Sequence, residues 1–229
     1  MWATHMKLVL KLGGHSLTEK LTSETLTPYL NVIRTIVKQG HRIATVTGGG
    51  RIARDYIEVA RKLRADESLS DEIGIDVARL NAKLLIAGLA DLAWQHVPTT
   101  LEEVAVGFQS GKIIVMGGLT PGQSTSAVSA LVAERIGADL LLIATNVDGV
   151  YTEDPRKDEK AQKLDKVNIR ELHRIISKGG TRAGEYKLVD LVTLSILKRS
   201  KVKTIILNGS NPKSILKAVS GAKIGTMVN

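Results

Sequence analysis

Apolar positions in this chain alternate between two periods. Short, largely β-branched runs at Val9–Leu12, Ile43–Thr47, Ile113–Met116, Asp139–Thr145 and Val202–Leu207 read as buried strands. Between them, apolar residues recur every three or four positions. Leu30, Ile33 and Val37 mark a helix that opens near Pro28 and ends near Gly40. Ile52, Tyr56, Ile57, Ala60 and Leu63 form a second stripe. A polar patch, Arg64–Asp71, leads into a longer helix with Ile73, Val77, Leu80, Leu84 and Ala87 at helical spacing, enough apolar surface for core or for a subunit contact. Further helices are expected over Ser126–Ile136 (stopped by Gly137), Ile169–Ile176, Leu188–Ser200 and Pro212–Val219, with a last strand closing the chain. Asp148-Gly149 is a hairpin signal, and Asp154–Lys166 is a charged excursion. Strand and helix patterns in alternation predict an α/β fold with a mostly parallel sheet and helices on both faces.

Three of the strand patterns run directly into glycines: Gly13-Gly14, Gly48-Gly49-Gly50 and Gly117-Gly118. Ligands of open α/β sheets bind just past the carboxyl ends of strands, and glycine there lets backbone N–H groups approach an anion. Three such loops predict a phosphate cradle. Lys11 lies inside the first strand beside Gly13-Gly14. A lysine in a buried strand is costly unless an anion offsets its desolvation. Its ammonium is therefore a candidate partner for a transferring phosphoryl group; the competing reading is an edge strand with the lysine in solvent.

The other loops are less specific by themselves. Gly48-x-Gly50-x-x-Ala53 has the spelling of a dinucleotide fingerprint but lacks the second strand and acid that should follow. Arg51 and Arg54 fall in a first helical turn, where amides already favour anions. Gly117–Ser124 has the spacing of a Walker loop with Gln123 in the lysine position, so a standard P-loop is not expected. Thr120, Gln123, Ser124 and Thr125 still offer donors ahead of a helix, or simply an N-cap. Tyr151 has the character of a base-stacking residue, and Asp154 that of an acceptor from a base or ribose. The histidines show no metal-ligand spacing.

Composition narrows the partners. The 229 residues are 43% hydrophobic and 24% charged, with a net charge of +9, which suits polyanionic ligands. Aromatics are only 3% and the lysines are scattered, which disfavours single-stranded nucleic acid and favours small anions. With no cysteine, disulfides and thiolate chemistry are excluded. No membrane-length apolar run and no signal-peptide pattern are visible, so no membrane partner and a cytoplasmic location are expected.

With these motifs in order, the chain resembles the amino acid kinase superfamily, and within it the UMP kinases of the archaeal type. The resemblance rests on KLGG at 11–14, VTGGGRIARDYIEVA at 46–60, DEIGIDVARLNAKLLIAGL at 71–89, VMGGLTPGQST at 115–125 and ADLLLIATNVDGVYTEDPRKD at 138–158. It implies a three-layer αβα sandwich in one kinase domain spanning 1–229. Residues 6–137 would form an acceptor and dimerisation lobe, and residues 138–229 an ATP lobe. It also implies transfer of the γ-phosphoryl of ATP to UMP, with Mg²⁺, in a hexamer built as a trimer of dimers.

By the same resemblance, Lys11 and Asp190 are the catalytic candidates. Gly14, His15, Gly49, Arg54, Thr145, Asn146, Tyr151 and Asp154 would hold ATP. Gly48, Asp71, Leu119, Thr120, Pro121, Gly122, Gln123, Ser124 and Thr125 would hold UMP. Asp190 favours UMP over carboxylate or isopentenyl phosphate acceptors, where relatives carry lysine. Relatives carry aspartate where this chain has Ser126, a residue that can cap a helix but supplies no charge. The alternatives are a sister kinase for another small phosphate or carboxylate, and a non-catalytic nucleotide-binding assembly.

Overall fold

The computed structural model describes residues 5–14, 21–155, 158–178 and 189–229. The expected apolar runs become β1 (Lys7–Leu12), β2 (Arg42–Thr47), β3 (Ile114–Met116), β4 (Leu140–Thr145) and, after a short β5 (Lys166–Val167), β6 (Thr204–Asn208); β7 (Thr226–Val228) follows. They form one seven-stranded sheet in the order β3-β2-β1-β4-β6-β7-β5. Among the described strands only the β6–β7 pair is antiparallel. The helices are α1 (Ser23–Lys38), α2 (Gly50–Lys62), α3 (Glu67–Leu89), α4 (Leu101–Gln109), α5 (Thr125–Ile136), α6 (Ile169–Lys178), α7 (Leu191–Ser200) and α8 (Lys213–Val219).

The period-two alternation of β1 assigns the layers. Leu8, Leu10 and Leu12 pack in one core with Ile33 and Ile36 of α1, Leu85 of α3 and Ile215 of α8. Val9 faces the other core, with Phe108 of α4, Val128 and Val132 of α5 and Leu194 of α7. Helices therefore cover both faces, giving the expected three-layer αβα sandwich with a mostly parallel central sheet. Lys11 shares the parity of Val9 and so belongs to the α5 face.

Several expectations shift in detail. Helix α1 begins five residues before Pro28, at a Thr22 cap accepting from Thr25 N, and keeps the proline inside. Helix α4 was not among the expected helices, although Leu101, Val104 and Phe108 lie at helical spacing and pack in the second core. Its signal was the Thr100-x-x-Glu103 spacing: Thr100 accepts from Glu103 N (3.1 Å), and Glu103 accepts from Thr99 N (2.6 Å). The α2 stripe is only partly buried. Ala53 and Ala60 are in the core, whereas Tyr56 and Leu63 are 61% and 78% exposed.

Helix α3 buries Ile75, Val77, Ala78, Leu85, Ile86 and Leu89, and leaves Leu80 and Leu84 outside. Asp148-Gly149 does not fold β4 back on itself; the excursion beyond it closes through an antiparallel bridge between Tyr151 and Lys163. Among the described residues no helix is long and apolar enough to cross a membrane.

Leu10 is fully buried at the centre of the first core. Leu10→Ala is expected to lower the unfolding free energy by about 2–5 kcal/mol, measured by urea denaturation.

Candidate functional site

Strands β3, β2, β1, β4 and β6 run parallel, so their carboxyl ends meet at one edge of the sheet. Along that edge stand Gly117-Gly118, Gly48–Gly50, Gly13-Gly14, Thr145-Asn146 and Asn208-Gly209, in spatial order. The chain builds outward from β1 to β2 and β3, then returns on the opposite side through β4 and β6. The gap between β1 and β4 is thus the topological switch point, where ligands of such sheets bind. Lys11 lies there, registered against Val46 on one side and Ile143 on the other. β1 is a central strand, and the edge-strand reading of Lys11 fails.

The glycine loops are fastened to one another. Gly13 N donates to Ala144 O (3.1 Å), Gly48 N to Leu12 O (3.0 Å) and Gly209 N to Thr145 O (2.8 Å). Gly14 lies so close to the second loop that a methyl group on it would collide with the backbone of Gly49 and Gly50. Two residues absent from the sequence reading hold this packing from α3 and β2. Buried Asn81 donates from Nδ2 to Gly48 O (2.8 Å). Buried Thr47 donates from Oγ1 towards Ala78 O (2.8 Å) and Met116 O (3.1 Å). Asn81 was visible only as a lone amide in an apolar helical stretch. Gly209, a fourth glycine at a strand end, was legible by the same rule as the first three; the Tyr29 hydroxyl donates to its carbonyl (2.8 Å).

The electrostatics of this edge are positive. Lys11 is half-buried, and desolvation lowers its ammonium from the ordinary 10.5 to about 8. At roughly 1.4 kcal/mol per pKa unit, keeping it charged costs about 3 kcal/mol that a bound anion would return. Helix α5 points its N-terminus at the same place. Its first turn contains no acid, and the Thr125 hydroxyl lies 3.5 Å from where a Cβ on Gly48 would stand.

The cap of α5 is Ser124, which accepts from Ala127 N at 3.1 Å. Ser126 is buried in the first turn and is not the cap. Helix α2 also opens on this edge, with Arg51 and Arg54 in its first turn and no acid. Arg54 itself is exposed and lines a 560 Å³ groove along α2 with Ile57, Glu58, Arg61 and Lys62.

The third loop is built on α3. Asp71 accepts from Gly122 N (2.7 Å), Gly122 has φ +77°, and Arg79 donates to Leu119 O (3.3 Å). Asp71 and the 119–125 loop, far apart in sequence, are therefore one unit. Thr120, Pro121, Gly122 and Ser124 are exposed, Leu119, Gln123 and Thr125 half-buried. On the opposite side of Lys11, Thr145 Oγ1 accepts from Val147 N (3.1 Å), Asn146 is exposed, and Tyr151 and Asp154 are half-buried. Asn208, also missed from sequence, donates to Asp148 Oδ1 (2.9 Å) and steadies this turn.

Asp190 caps α7: one carboxylate oxygen accepts from Thr193 N (2.7 Å) and Thr193 Oγ1 (3.0 Å). His15 lies outside the described residues. Among those described, no cluster of three or more carboxylate, histidine or cysteine side chains suits a resident metal ion. Lys11, Gly14, Gly48, Gly49 and Thr125 are brought together; the two flanking sets stand on either side.

A profile of the amino acid kinase family matches residues 6–208. The chain belongs to the amino acid kinase family. Among relatives of this kinase, the protein named uridylate kinase in Pyrococcus abyssi is 44% identical, the match covering 97% of this chain and 99% of that protein. The uridylate kinase of Methanobrevibacter smithii is 41% identical over the same shares. A solved uridylate kinase from Archaeoglobus fulgidus superposes with TM-score 0.88 at 40% identity, covering 98% of this chain and all of that one. A UMP kinase from Bacillus anthracis, 22% identical, shares the fold at TM-score 0.82, covering 98% of this chain and 96% of that one.

Gly14→Ala tests the close approach of the first two loops. It is expected to cost about 1–3 kcal/mol of stability and to reduce phosphoryl transfer at least 10²-fold, read by thermal melting and steady-state kinetics. Unchanged turnover would separate this contact from the site.

Proposed function

We propose that this amino acid kinase is an ATP-dependent uridylate kinase, transferring the γ-phosphoryl group of ATP to UMP to give UDP. The observation that carries the reading is the half-buried ammonium of Lys11 at the switch point, with the 119–125 loop on one side and the turn after Thr145 on the other. Near full-length similarity to uridylate kinases supports the choice of acceptor over carboxylates and other small phosphates.

In this reading the amides of Gly14 and Gly49 and the Arg54 guanidinium meet the ATP phosphates. Thr145, Asn146, Tyr151 and Asp154 hold its nucleoside, with Tyr151 offering a ring face. UMP occupies Gly48, Asp71 and the 119–125 loop, its phosphate directed towards the α5 N-terminus. The attacking phosphate oxygen of UMP displaces ADP from the γ-phosphorus, and negative charge spreads over the transferred group. Lys11 and the nearby amides stabilise that charge, and because they are fixed by the sheet they need no reorganisation at the moment of transfer.

Mg²⁺ would enter with ATP as the counter-ion of its phosphates. Ser126 adds no negative charge that would oppose the phosphates. Asp190 is a positioning residue that fixes the start of α7 through Thr193. A uridylate kinase works where UMP and ATP are made and used, in the cytoplasm.

The reading includes a homo-oligomer, a hexamer formed as a trimer of dimers. Tyr56 and Val59 of α2, Leu63 just past its end, and Leu69, Leu80 and Leu84 of α3 are all exposed, an apolar surface that a second copy of this lobe would cover.

Four measurements test these statements. ATP consumption compared across UMP, CMP, dUMP, N-acetylglutamate and isopentenyl phosphate is expected to favour UMP strongly; equal or greater turnover of another acceptor contradicts the assignment. The working form of Lys11 is the ammonium, whose depressed pKa means it is lost as pH rises through about 8. kcat/KM is therefore expected to fall above that pH, and Lys11→Ala to lower kcat about 10²-fold or more with UMP binding retained. Finally, Leu80→Glu with Leu84→Glu is expected to shift the sedimentation coefficient to smaller species, while the parent sediments as a hexamer.

A further inference from the structure

Lys11 enters the proposed transfer only as a charge, yet its nitrogen becomes a nucleophile whenever the proton leaves. Other amines of the chain are tied down. The Nζ of Lys7 donates to Ile136 O (3.2 Å) and that of Lys112 to Asp91 O (2.6 Å), while Lys62 and Lys163 pair with Glu58 and Asp165 (2.6 and 2.8 Å). Lys11 pairs with no carboxylate among the described residues, and desolvation is the one influence on its proton affinity. Its Nζ lies 3.6 Å from where a Cβ on Gly13 would stand, so the amine is held over the first glycine loop, at the carboxyl end of β1.

What surrounds that amine suits a phosphate and leaves room for one. Gly13, Gly14, Gly48 and Gly49 present backbone without a Cβ, and the first turn of α5 adds positive potential with no acid beside it. In an acyl phosphate a single bridging oxygen separates phosphorus from the carbonyl carbon. A phosphate group lodged between these loops therefore carries an electrophilic carbon to the side of the Lys11 amine.

Two effects of the bound phosphate oppose each other. It favours the protonated amine, which is not nucleophilic. A return of the pKa from about 8 to 10.5 lowers the neutral fraction at pH 8 about 10²-fold. It also places the two reactants side by side, and a well-oriented pair reaches an effective molarity of about 10⁵ M or more. Proximity is the larger effect by far.

We propose that Lys11 is a site of phosphate-directed acylation by small acyl phosphates such as acetyl phosphate. The neutral Nζ attacks the carbonyl carbon and forms the N–C bond. The bond from that carbon to the bridging oxygen breaks, inorganic phosphate leaves with the electron pair, and the proton of the amine passes to solvent. The product is an uncharged amide. Its consequence rests on the function proposed above: an acylated chain cannot stabilise the transferring phosphoryl group, so turnover falls in proportion to the fraction modified. Bound ATP covers the same amine, and the modification thus silences the kinase when nucleotide is scarce.

The full chain, incubated with acetyl phosphate at pH 8 and then digested, reports acetylation lysine by lysine in the mass spectrometer. Lys11 is expected to react at least about ten-fold faster than exposed Lys217 of α8. With N-acetylimidazole, an acetyl donor that carries no phosphate, this preference is expected to shrink at least about ten-fold. Inorganic tripolyphosphate, which fills the loops without a carbonyl, is expected to slow Lys11 at least about five-fold and to leave Lys217 unchanged. Equal rates at the two lysines, the same preference with both donors, or no effect of tripolyphosphate each overturns the proposal. Because these readouts need no turnover, selective acetylation in a protein that fails to phosphorylate UMP supports the site and counts only against the function proposed; UMP turnover without selective acetylation overturns the site alone.

Discussion

An ammonium group held at the centre of a parallel sheet is the constraint around which this molecule is organised. Lys11 sits on the strand where the sheet changes direction, flanked by β2 and β4, on the face that carries α5. Burial alone lowers its pKa to about 8, so the charged form is costly in the free protein. A phosphate at the strand ends would offset that cost. In the proposed function, binding and catalysis would draw on one source: the charge that is costly in the free protein is the charge that the transferring phosphoryl group would require.

The surrounding structure keeps that charge unopposed and fixed. The first two loops approach so closely that only glycine fits at position 14, and Asn81 and Thr47 tie the second loop to α3 and β3. Helix α5 brings a first turn without an acid, and α2 brings one with two arginines. The two regions proposed for the substrates lie on either side of β1 in the strand order. The β2–β3 side carries the loop pinned by Asp71, and the β4–β6 side carries Thr145 with the turn steadied by Asn208. In the proposed reading the edge serves two substrates on either side of one lysine rather than acting as a single cradle.

The legibility of the sequence followed the strength of its local signals. The central strands and their glycine ends were plain, because a fully buried strand must be apolar throughout and a glycine pair interrupts it sharply. The centrality of β1 was not, since strand order is decided by pairing between segments far apart in sequence; the charge of Lys11 made sense only once both neighbours were known. The stripe on α2 misled because Tyr56 and Leu63 are apolar for a surface and not for the core. Asp190 was legible as a carboxylate at a meaningful place, but its engagement with Thr193 depends on helix-start geometry. Asn81 carried almost no signal. A single amide in a helix reads the same whether it faces water or holds a loop carbonyl.

The most direct test is the proton affinity of Lys11 itself, measured by nitrogen-15 NMR of the side-chain ammonium across a pH titration. In the free protein it is expected to titrate near 8, and with ATP bound to move back towards 10.5 or above. An ordinary value in the free protein, or one that ATP leaves unchanged, would contradict the account that a desolvated cation awaits the phosphates.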